Sequence, residues 1–307
     1  MKRQAKLGLA LCALFATQAN AVVFSVDSVS VGGGGTAVQT DAGSDPQLQN
    51  NLYFNDHASS GNTRQVNGGD IGVLTSQNIV SASRGTDILN GATQLGFSVS
   101  TGTVGMVGTA VNDEVLAGGA AADLFVIEKS AGSPYKVLDA LDIGLASGDN
   151  LDAIDVFDPI EPQLTVFSTE LYFTVDSTAG ATSTGNIYLS DLAGNVTLFK
   201  SASTLGLTSG DVIDALVLDA SNDLAMFSLA AGSSSLGGSS AADIFMTDFS
   251  GSFWTEITHA DLGLLSTDDV DALETNAIPE PNGMTLLLGG LMLTGLGLSQ
   301  HRRPVRA

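Results

Sequence analysis

The chain has 307 residues, of which 33 are Asp or Glu and 11 are Lys or Arg, so its formal net charge is −22. A charge of this sign and size repels nucleic acid and anionic lipid headgroups, which excludes nucleic-acid binding. The length and the 44% hydrophobic content are sufficient to bury a sizeable core.

The first 21 residues have the pattern of a secretory signal peptide. An uncharged run from residue 7 to 16 follows three basic residues, Lys2, Arg3 and Lys6. Ala19 and Ala21 then supply the small-x-small pattern of a cleavage site. We therefore predict a signal helix within residues 1–21 and a mature chain that starts near Val22.

Removal of the two termini changes the composition of what remains. The chain has one cysteine, Cys12, and it lies in the signal segment, so the exported region should contain neither a disulfide nor a thiol nucleophile. Most of the basic residues are also terminal, and the central region keeps only Arg64, Arg84, Lys129, Lys136 and Lys200. We expect this region to repel anions and to favour cations.

One sequence pattern occurs three times in the central region, starting at Ala121, Thr184 and Ala241. In each copy an Asp or Asn precedes the Gly of a "GL" pair by 20 or 21 residues, and that Gly precedes the Asp of a "DA" pair by eight. The three sets are Asp123, Gly144 and Asp152; Asn186, Gly206 and Asp214; and Asp243, Gly263 and Asp271. Such constant spacing indicates an internal repeat.

A fourth, degenerate copy begins at Asn50. Asn51 and Gly72 keep the spacing of the other copies, but the "DA" aspartate is replaced by Val80 or Ser81. An apolar segment with a phenylalanine precedes every copy, at Phe24, Phe97, Phe173 and Phe227. The full unit is therefore strand, Gly/Ser-rich loop, strand, turn, strand, "LGL" loop and strand.

Four short strands in each of four units predict an all-β fold. The repeats span approximately 22–94, 95–169, 170–223 and 224–276, within a β domain of residues 22–277. We predict a β-propeller with about four blades of four antiparallel strands, each strand having one buried face. The terminal "DVDALE" would close the ring by pairing with "VVFSVDS". A β-sandwich or a stack of β-meanders fits the same alternation.

Candidate catalytic residues are few. His57 and His259 are the histidines of the exported region, and they lie at non-equivalent points of their repeats. Neither a Gly-x-Ser-x-Gly elbow nor a paired-histidine metal motif accompanies them, so we interpret them as surface residues. The "VGGGGT" stretch at 31–36 lacks the lysine of a phosphate loop. We predict a chain that is not an enzyme and has no cofactor.

Acidic residues recur with the repeat. Two acids three apart next to glycine, in a loop, could supply oxygen ligands to Ca²⁺. An interval of three on an extended strand, however, points two side chains to opposite faces, and the spacing matches no EF-hand. We therefore expect the aspartates at loop-to-strand junctions to fix turns, with Ca²⁺ binding as the alternative. The residues concerned are Asp149, Asp152, Asp155, Asp211, Asp214, Asp219, Asp268, Asp269, Asp271 and Glu274.

The last 30 residues, 278–307, have three parts. Pro279, Glu280 and Pro281 keep the backbone extended, because each proline fixes its own φ and restricts the residue before it. The fifteen residues 284–298 carry no charge, which is short for a durable membrane span of about 20 residues. A basic cluster follows at Arg302, Arg303 and Arg306 and should stay cytoplasmic, which places the body of the chain across the inner membrane.

This tail resembles the PEP-CTERM sorting signal of Gram-negative bacteria, which combines a Pro-Glu-Pro tripeptide, a short hydrophobic helix and terminal arginines. The resemblance implies recognition by an exosortase, a membrane-embedded cysteine transpeptidase, with processing near Pro279, Glu280 and Pro281. It also implies that the secretion machinery handles the chain, that the inner membrane holds the 284–298 helix transiently, and that the product reaches the cell surface or is secreted.

Proteins with this signal are associated with exopolysaccharide and biofilm production. The resemblance therefore implies a non-catalytic surface or extracellular-matrix protein. The alternative is a secreted carbohydrate-active hydrolase with a propeller fold, which would use two carboxylates about 5 to 9.5 Å apart. The recurrence of the acids with the repeat favours the first reading, because an active site usually interrupts a repeat.

Overall fold

The structure is a computed structural model, and it describes most of the central region. The described residues are 21–44, 48–56, 61–74, 77–83, 94–128, 135–146, 148–156, 170–176, 183–220 and 222–275.

Sixteen strands, numbered along the chain, form four antiparallel sheets of four strands. The first sheet contains β16 (Val270–Thr275), β1 (Val22–Val26), β2 (Leu52–Asn55) and β3 (Thr63–Val66). The second contains β4 (Ile79–Ser83), β5 (Gln94–Val99), β6 (Leu124–Glu128) and β7 (Tyr135–Leu138). The third contains β8 (Asn150–Val156), β9 (Leu171–Asp176), β10 (Ile187–Ser190) and β11 (Val196–Lys200). The fourth contains β12 (Ile213–Asp219), β13 (Leu224–Leu229), β14 (Ile244–Thr247) and β15 (Phe253–Ile257).

The four sheets are the blades of a β-propeller, as the repeat pattern predicts. The first strand of each blade, in the order β16, β4, β8 and β12, packs against the first strands of the two neighbouring blades. These four inner strands therefore surround the centre of the ring, and the remaining strands of each blade run outward from it.

The ring is closed by the two ends of the propeller. Strand β16 pairs antiparallel with β1, with Phe24 opposite Leu273 and Val22 opposite Thr275. The predicted pairing of "DVDALE" with "VVFSVDS" is confirmed. Each sequence repeat is consequently offset from a blade by one strand, since the fourth strand of every repeat becomes the inner strand of the next blade.

The core is distributed between the blades. Each of the four buried apolar clusters contains residues from two neighbouring blades, including one that joins the fourth blade to the first. Every blade also has an aromatic pair on its second and third strands, with ring centroids 5.7 to 5.9 Å apart. The pairs are Phe24 with Tyr53, Phe97 with Phe125, Phe173 with Tyr188, and Phe227 with Phe245. The repeated phenylalanine of the sequence thus marks the same core position in every blade.

The burial of the strands differs from the predicted single buried face. Strands β1, β4, β13 and β16 are buried along their whole length, because neighbouring blades cover both of their faces. The outer strands β3 and β11 are mostly exposed. The prediction of one buried face is therefore wrong for these four strands, since it assumed a sheet with solvent on one side.

The helices are short and lie in the connections. They are α1 (Ala37–Ser44), α2 (Ala110–Ala117), α3 (Ala140–Ile143) and α4 (Ala202–Leu205), with single 3₁₀ turns at Leu48–Asn50, Gly68–Ile71, Ala120–Ala122 and Ser234–Leu236. None of the helices in the described ranges has the length and apolar character needed to span a bilayer.

Candidate functional site

The Asp or Asn that opens each repeat fixes the helical turn after the fourth, outermost strand of its blade. Its side-chain oxygen accepts a hydrogen bond from a backbone N–H about 16 residues later along the chain, at distances of 2.7 to 3.1 Å. The pairs are Asn51 with Gly68, Asp123 with Ala140, Asn186 with Ala202, and Asp243 with His259. These bonds explain why the interval to the "GL" glycine is nearly constant.

The "GL" glycine ends that helical turn. Its φ is positive in all four repeats, from 72° at Gly263 to 93° at Gly144. At Gly206 a Cβ would also lie 2.8 Å from Ser252 Cα, on the outer hairpin of the next blade. The glycine is therefore needed for both its backbone conformation and the close approach of two blades.

A second acid fixes the turn that leads into each inner strand. The carboxylates of Asp149, Asp211 and Asp268 accept a hydrogen bond from the backbone N–H three residues earlier, at 2.8 Å. Gln77 takes the same place in the degenerate copy, with its Oε1 2.9 Å from Leu74 N. The predicted turn-fixing role is confirmed at these three aspartates.

Asp211 has the densest network of these residues. Its carboxylate also accepts hydrogen bonds from the hydroxyls of Thr208 and Ser234, at 2.9 and 3.0 Å, and from the Ser235 hydroxyl and N–H. Burial by itself would raise the pKa of Asp211, but these donors stabilise the ionised form and lower the pKa to about 2.

A buried hydroxyl joins each blade to the next. The Ser or Thr that follows the repeated phenylalanine donates to a main-chain carbonyl on the inner strand of the following blade, at 2.7 to 3.0 Å. The pairs are Ser25 with Ile79, Ser98 with Leu151, Thr174 with Ile213, and Ser228 with Val270. The four bonds form a closed set around the centre of the ring.

A β-bulge lies immediately after each of those carbonyls. The pairing register shifts at Val80, at Asp152 and Ala153, at Asp214, and at Asp271. The "DA" aspartates are thus bulge residues, and a bulge redirects a side chain that would otherwise follow the regular alternation of the strand. Val80 occupies the equivalent position in the degenerate copy.

The redirected aspartates come together at the centre of the ring. Asp214 and Asp271, from two different blades, and Asp269, two residues before Asp271, place carboxylate oxygens within 4.8 Å of one another. Asp152, from a third blade, lies near enough for its charge to raise the pKa of Asp214. We call these four residues the central carboxylate cluster.

The cluster is poor in hydrogen-bond donors. Asn78 donates its amide to Asp271, and the Ala231 N–H lies 3.1 Å from Asp269 Oδ2. Three side chains at the cluster have a buried oxygen without a hydrogen-bond donor among the described residues: Asn78 Oδ1, Asp152 Oδ2 and Asp269 Oδ1. Asn150 Oδ1, two residues before Asp152, is in the same situation. Asn150 and Asp152 are only 7% and 6% exposed.

Burial dominates the protonation of the cluster. It raises the pKa of Asp152, Asp214 and Asp271 well above the ordinary carboxyl value, and repulsion between the neighbouring carboxylates raises it further. Burial also raises the pKa of Asp269 to about 6, although the hydrogen bond from Ala231 opposes the shift. In the absence of a counter-charge, burial therefore opposes ionisation of all four carboxyl groups.

A second group of acids lies away from the centre. Glu114, Asp123 and Asp139 also bring carboxylate oxygens within 4.8 Å of one another, near α2 and the outer strand β7. Asp123 in this group already caps the α3 turn through Ala140. We therefore attribute to it the local structural role that its repeat position predicts.

The other residues singled out in the sequence make different contacts in the structure. Asp219 fixes a turn through Asn222 N at 3.0 Å, Asp155 accepts from Leu218 N of the next blade, and Glu274 is buried in β16. His259 Nδ1 lies 2.7 Å from Asp243 Oδ1, a pairing that sequence analysis did not anticipate.

The predicted processing residues lie almost entirely outside the described residues. These are Ala19, the motif Pro279, Glu280 and Pro281, the 284–298 helix, and the cluster Arg302, Arg303 and Arg306. His57 also lies outside them. Ala21 is described, and its carbonyl accepts a hydrogen bond from Thr275 Oγ1 at 3.2 Å. Val22, the predicted first residue of the mature chain, is the first residue of β1.

The sequence pattern pairs acids within one repeat, such as Asp149 with Asp152. In the structure Asp149 fixes a turn, whereas Asp152 belongs to the central carboxylate cluster. The structure instead brings together one bulge aspartate from each of three repeats. The repeat itself could have indicated this grouping, because equivalent residues in a ring of repeats lie at the same distance from the centre of the ring.

Comparisons with known proteins identify no family. No protein-family model matches the chain, and no curated protein is significantly similar to it. Among solved structures, a chain of a nidogen/laminin complex is similar over 76% of this chain and 75% of that chain, at 10% identity and a TM-score of 0.33. A likeness at this level carries no functional information.

Proposed function

We propose that the chain is an exported, non-catalytic surface or extracellular-matrix protein, processed by an exosortase and associated with exopolysaccharide. The observation that carries the proposal is the order of Pro279, Glu280 and Pro281, the uncharged segment 284–298 and the terminal arginines. The signal pattern ending at Ala21 agrees with it, because both ends then direct the body of the chain across the inner membrane.

The structural roles of the repeated polar residues in the propeller support a non-catalytic scaffold. Asp123, Asn186 and Asp243 cap helical turns, and Asp211 and Asp268 fix the turns before inner strands. These polar residues recur with the repeat and hold it together. A catalytic residue would be expected to depart from the repeat, whereas these follow it.

Export and processing are tested with the full-length chain in two Gram-negative hosts, one with an exosortase and one without. In the first host we expect a product that begins near Val22 and ends near Pro279, as determined by intact-mass spectrometry of the surface and medium fractions. Glu280→Ala should leave the tail in place and hold the chain in the inner membrane. An untrimmed product in the cytosol of both hosts would contradict the proposal.

The matrix role is tested on the processed product. We expect it to be retained by exopolysaccharide from the producing cells without releasing reducing ends, because the proposal assigns it binding and no turnover. Release of reducing ends at a rate that grows with protein concentration would favour the hydrolase alternative. Failure to bind would remove the association with exopolysaccharide.

A further inference from the structure

The centre of the propeller has the composition of a cation site. Asp152, Asp214 and Asp271 are supplied by three different blades, and a bulge in each inner strand turns the side chain toward the others. Nothing in the turn-fixing roles of the repeat requires these three residues to be acidic. The degenerate copy shows this directly, because Val80 occupies the same bulge in the second blade.

The oxygens at the centre lack donors. Asp152 Oδ2 and Asn150 Oδ1 belong to side chains that are more than nine-tenths buried, and neither has a hydrogen-bond donor among the described residues. Asn78 Oδ1 and Asp269 Oδ1 are in the same situation. A buried acceptor without a donor destabilises the fold, so such acceptors beside a carboxylate cluster favour a positively charged occupant.

We propose that the propeller binds one Ca²⁺ at its centre through the carboxylates of Asp214, Asp269 and Asp271. Asp152 lies close enough to add its charge to the same cluster, and Asn78 contacts Asp271 through its amide.

The ligand set suits Ca²⁺ better than Mg²⁺. The three carboxylate oxygens lie within 4.8 Å of one another, close enough for all three to contact one ion at roughly 2.4 Å. Ca²⁺ accepts six to eight oxygen ligands in flexible arrangements, whereas Mg²⁺ requires a near-ideal octahedron at about 2.1 Å. Carboxylates from two separate strands, β12 and β16, with Asp269 directly before β16, suit the less demanding ion.

The ion would join the blades. Asp214 lies on the fourth blade, Asp269 and Asp271 lead into or lie in the strand that closes the first, and Asp152 lies on the third. Binding would replace repulsion among these carboxylates with attraction to a shared charge. The inference does not depend on the proposed function, because ion binding is measured on the purified protein.

The test is a calorimetric titration of CaCl₂ into the full-length chain, purified in a mild detergent and freed of metal with EDTA. We expect saturable binding of one ion per chain and at least about 10-fold weaker binding of Mg²⁺. At an excess of about 100-fold over Kd, Ca²⁺ should raise the melting temperature by about 5 °C. No saturable heat and equal melting temperatures in EDTA and Ca²⁺ would overturn the proposal, and would leave the carboxyls holding protons instead.

Variants locate the ion. Asp214→Asn should weaken Ca²⁺ binding at least about 10-fold and should melt in EDTA no lower than the parent protein, because it removes one of several mutually repelling carboxylates. Asp269→Asn should have the same effect on binding and serves as the second variant. The matched control is Asp149→Asn, a turn acid of the same repeat family, which should keep the parent affinity. Parent affinity in both central variants would place the ion elsewhere and refute the assignment.

Discussion

Replacement of Asp211 by Asn should destabilise the propeller by about 2 kcal/mol at pH 7. The carboxylate of Asp211 accepts five hydrogen bonds, from the backbone N–H groups of Thr208 and Ser235 and from three hydroxyls. These bonds lower its pKa from 3.8 to about 2. A shift of this size in a buried group corresponds to about 2 kcal/mol of stability that requires the negative charge.

The sign of the pH dependence follows from the lowered pKa. The stabilisation is fully present above the unfolded value of 3.8 and is lost as the pH falls through about 2. At pH 3 about half of it should remain, so the difference between the parent protein and Asp211→Asn should shrink to about 1 kcal/mol.

The assay is urea unfolding at pH 7 and pH 3, followed by circular dichroism. The matched control is Asp149→Asn, because this equivalent turn acid accepts one side-chain hydrogen bond, from Ala146 N, and should cost less than about 1 kcal/mol. A variant at Asp211 that is as stable as the parent protein, or a loss of equal size at both pH values, would refute the reasoning.

Three further substitutions should change the free energy of unfolding in the same urea assay. Gly206→Ala should lower the free energy of unfolding by more than about 1 kcal/mol, because the φ of Gly206 is +86° and an added Cβ would collide with the next blade. The control Gly210→Ala places its Cβ in open space and should be nearly neutral. Equal effects of the two substitutions would contradict this prediction. Ser228→Ala should cost about 1 to 2 kcal/mol by leaving the buried carbonyl of Val270 without its donor, and a neutral result would show that the bond is dispensable. Phe227→Ala should cost about 3 to 5 kcal/mol because the fully buried ring contacts two other aromatic rings, and a loss below about 1 kcal/mol would indicate a loosely packed core.

The repeat made the architecture predictable from sequence. Each unit cannot bury its apolar face alone, so fourfold recurrence of four short strands predicted a ring, and the expected pairing of "DVDALE" with "VVFSVDS" predicted its closure. The position of Asp211 at a loop-to-strand junction likewise predicted its local role in the turn. Interactions near in sequence are set by spacing, and spacing is visible in the sequence.

The central cluster could not be predicted in the same way. Its geometry depends on bulges, and a one-residue shift in register changes which face a side chain occupies. Alternation along β12 or β16 gives no sign of the shift. The hydrogen bonds between blades could not be predicted either, because the acceptors lie on another blade. Their donors are the hydroxyls of the residues that follow the repeated phenylalanine, Ser25, Ser98, Thr174 and Ser228.

The pairing of β16 with β1 sets the order in which the protein can mature. A chain synthesised from its N-terminus presents β1 first and must wait for residues 270–275 before that blade has its innermost strand. Until then β1 offers an unpaired edge to any other extended segment nearby, including the same segment of a second copy. Delay in completing the last six residues of the ring would therefore favour intertwined assemblies over a ring closed within one chain.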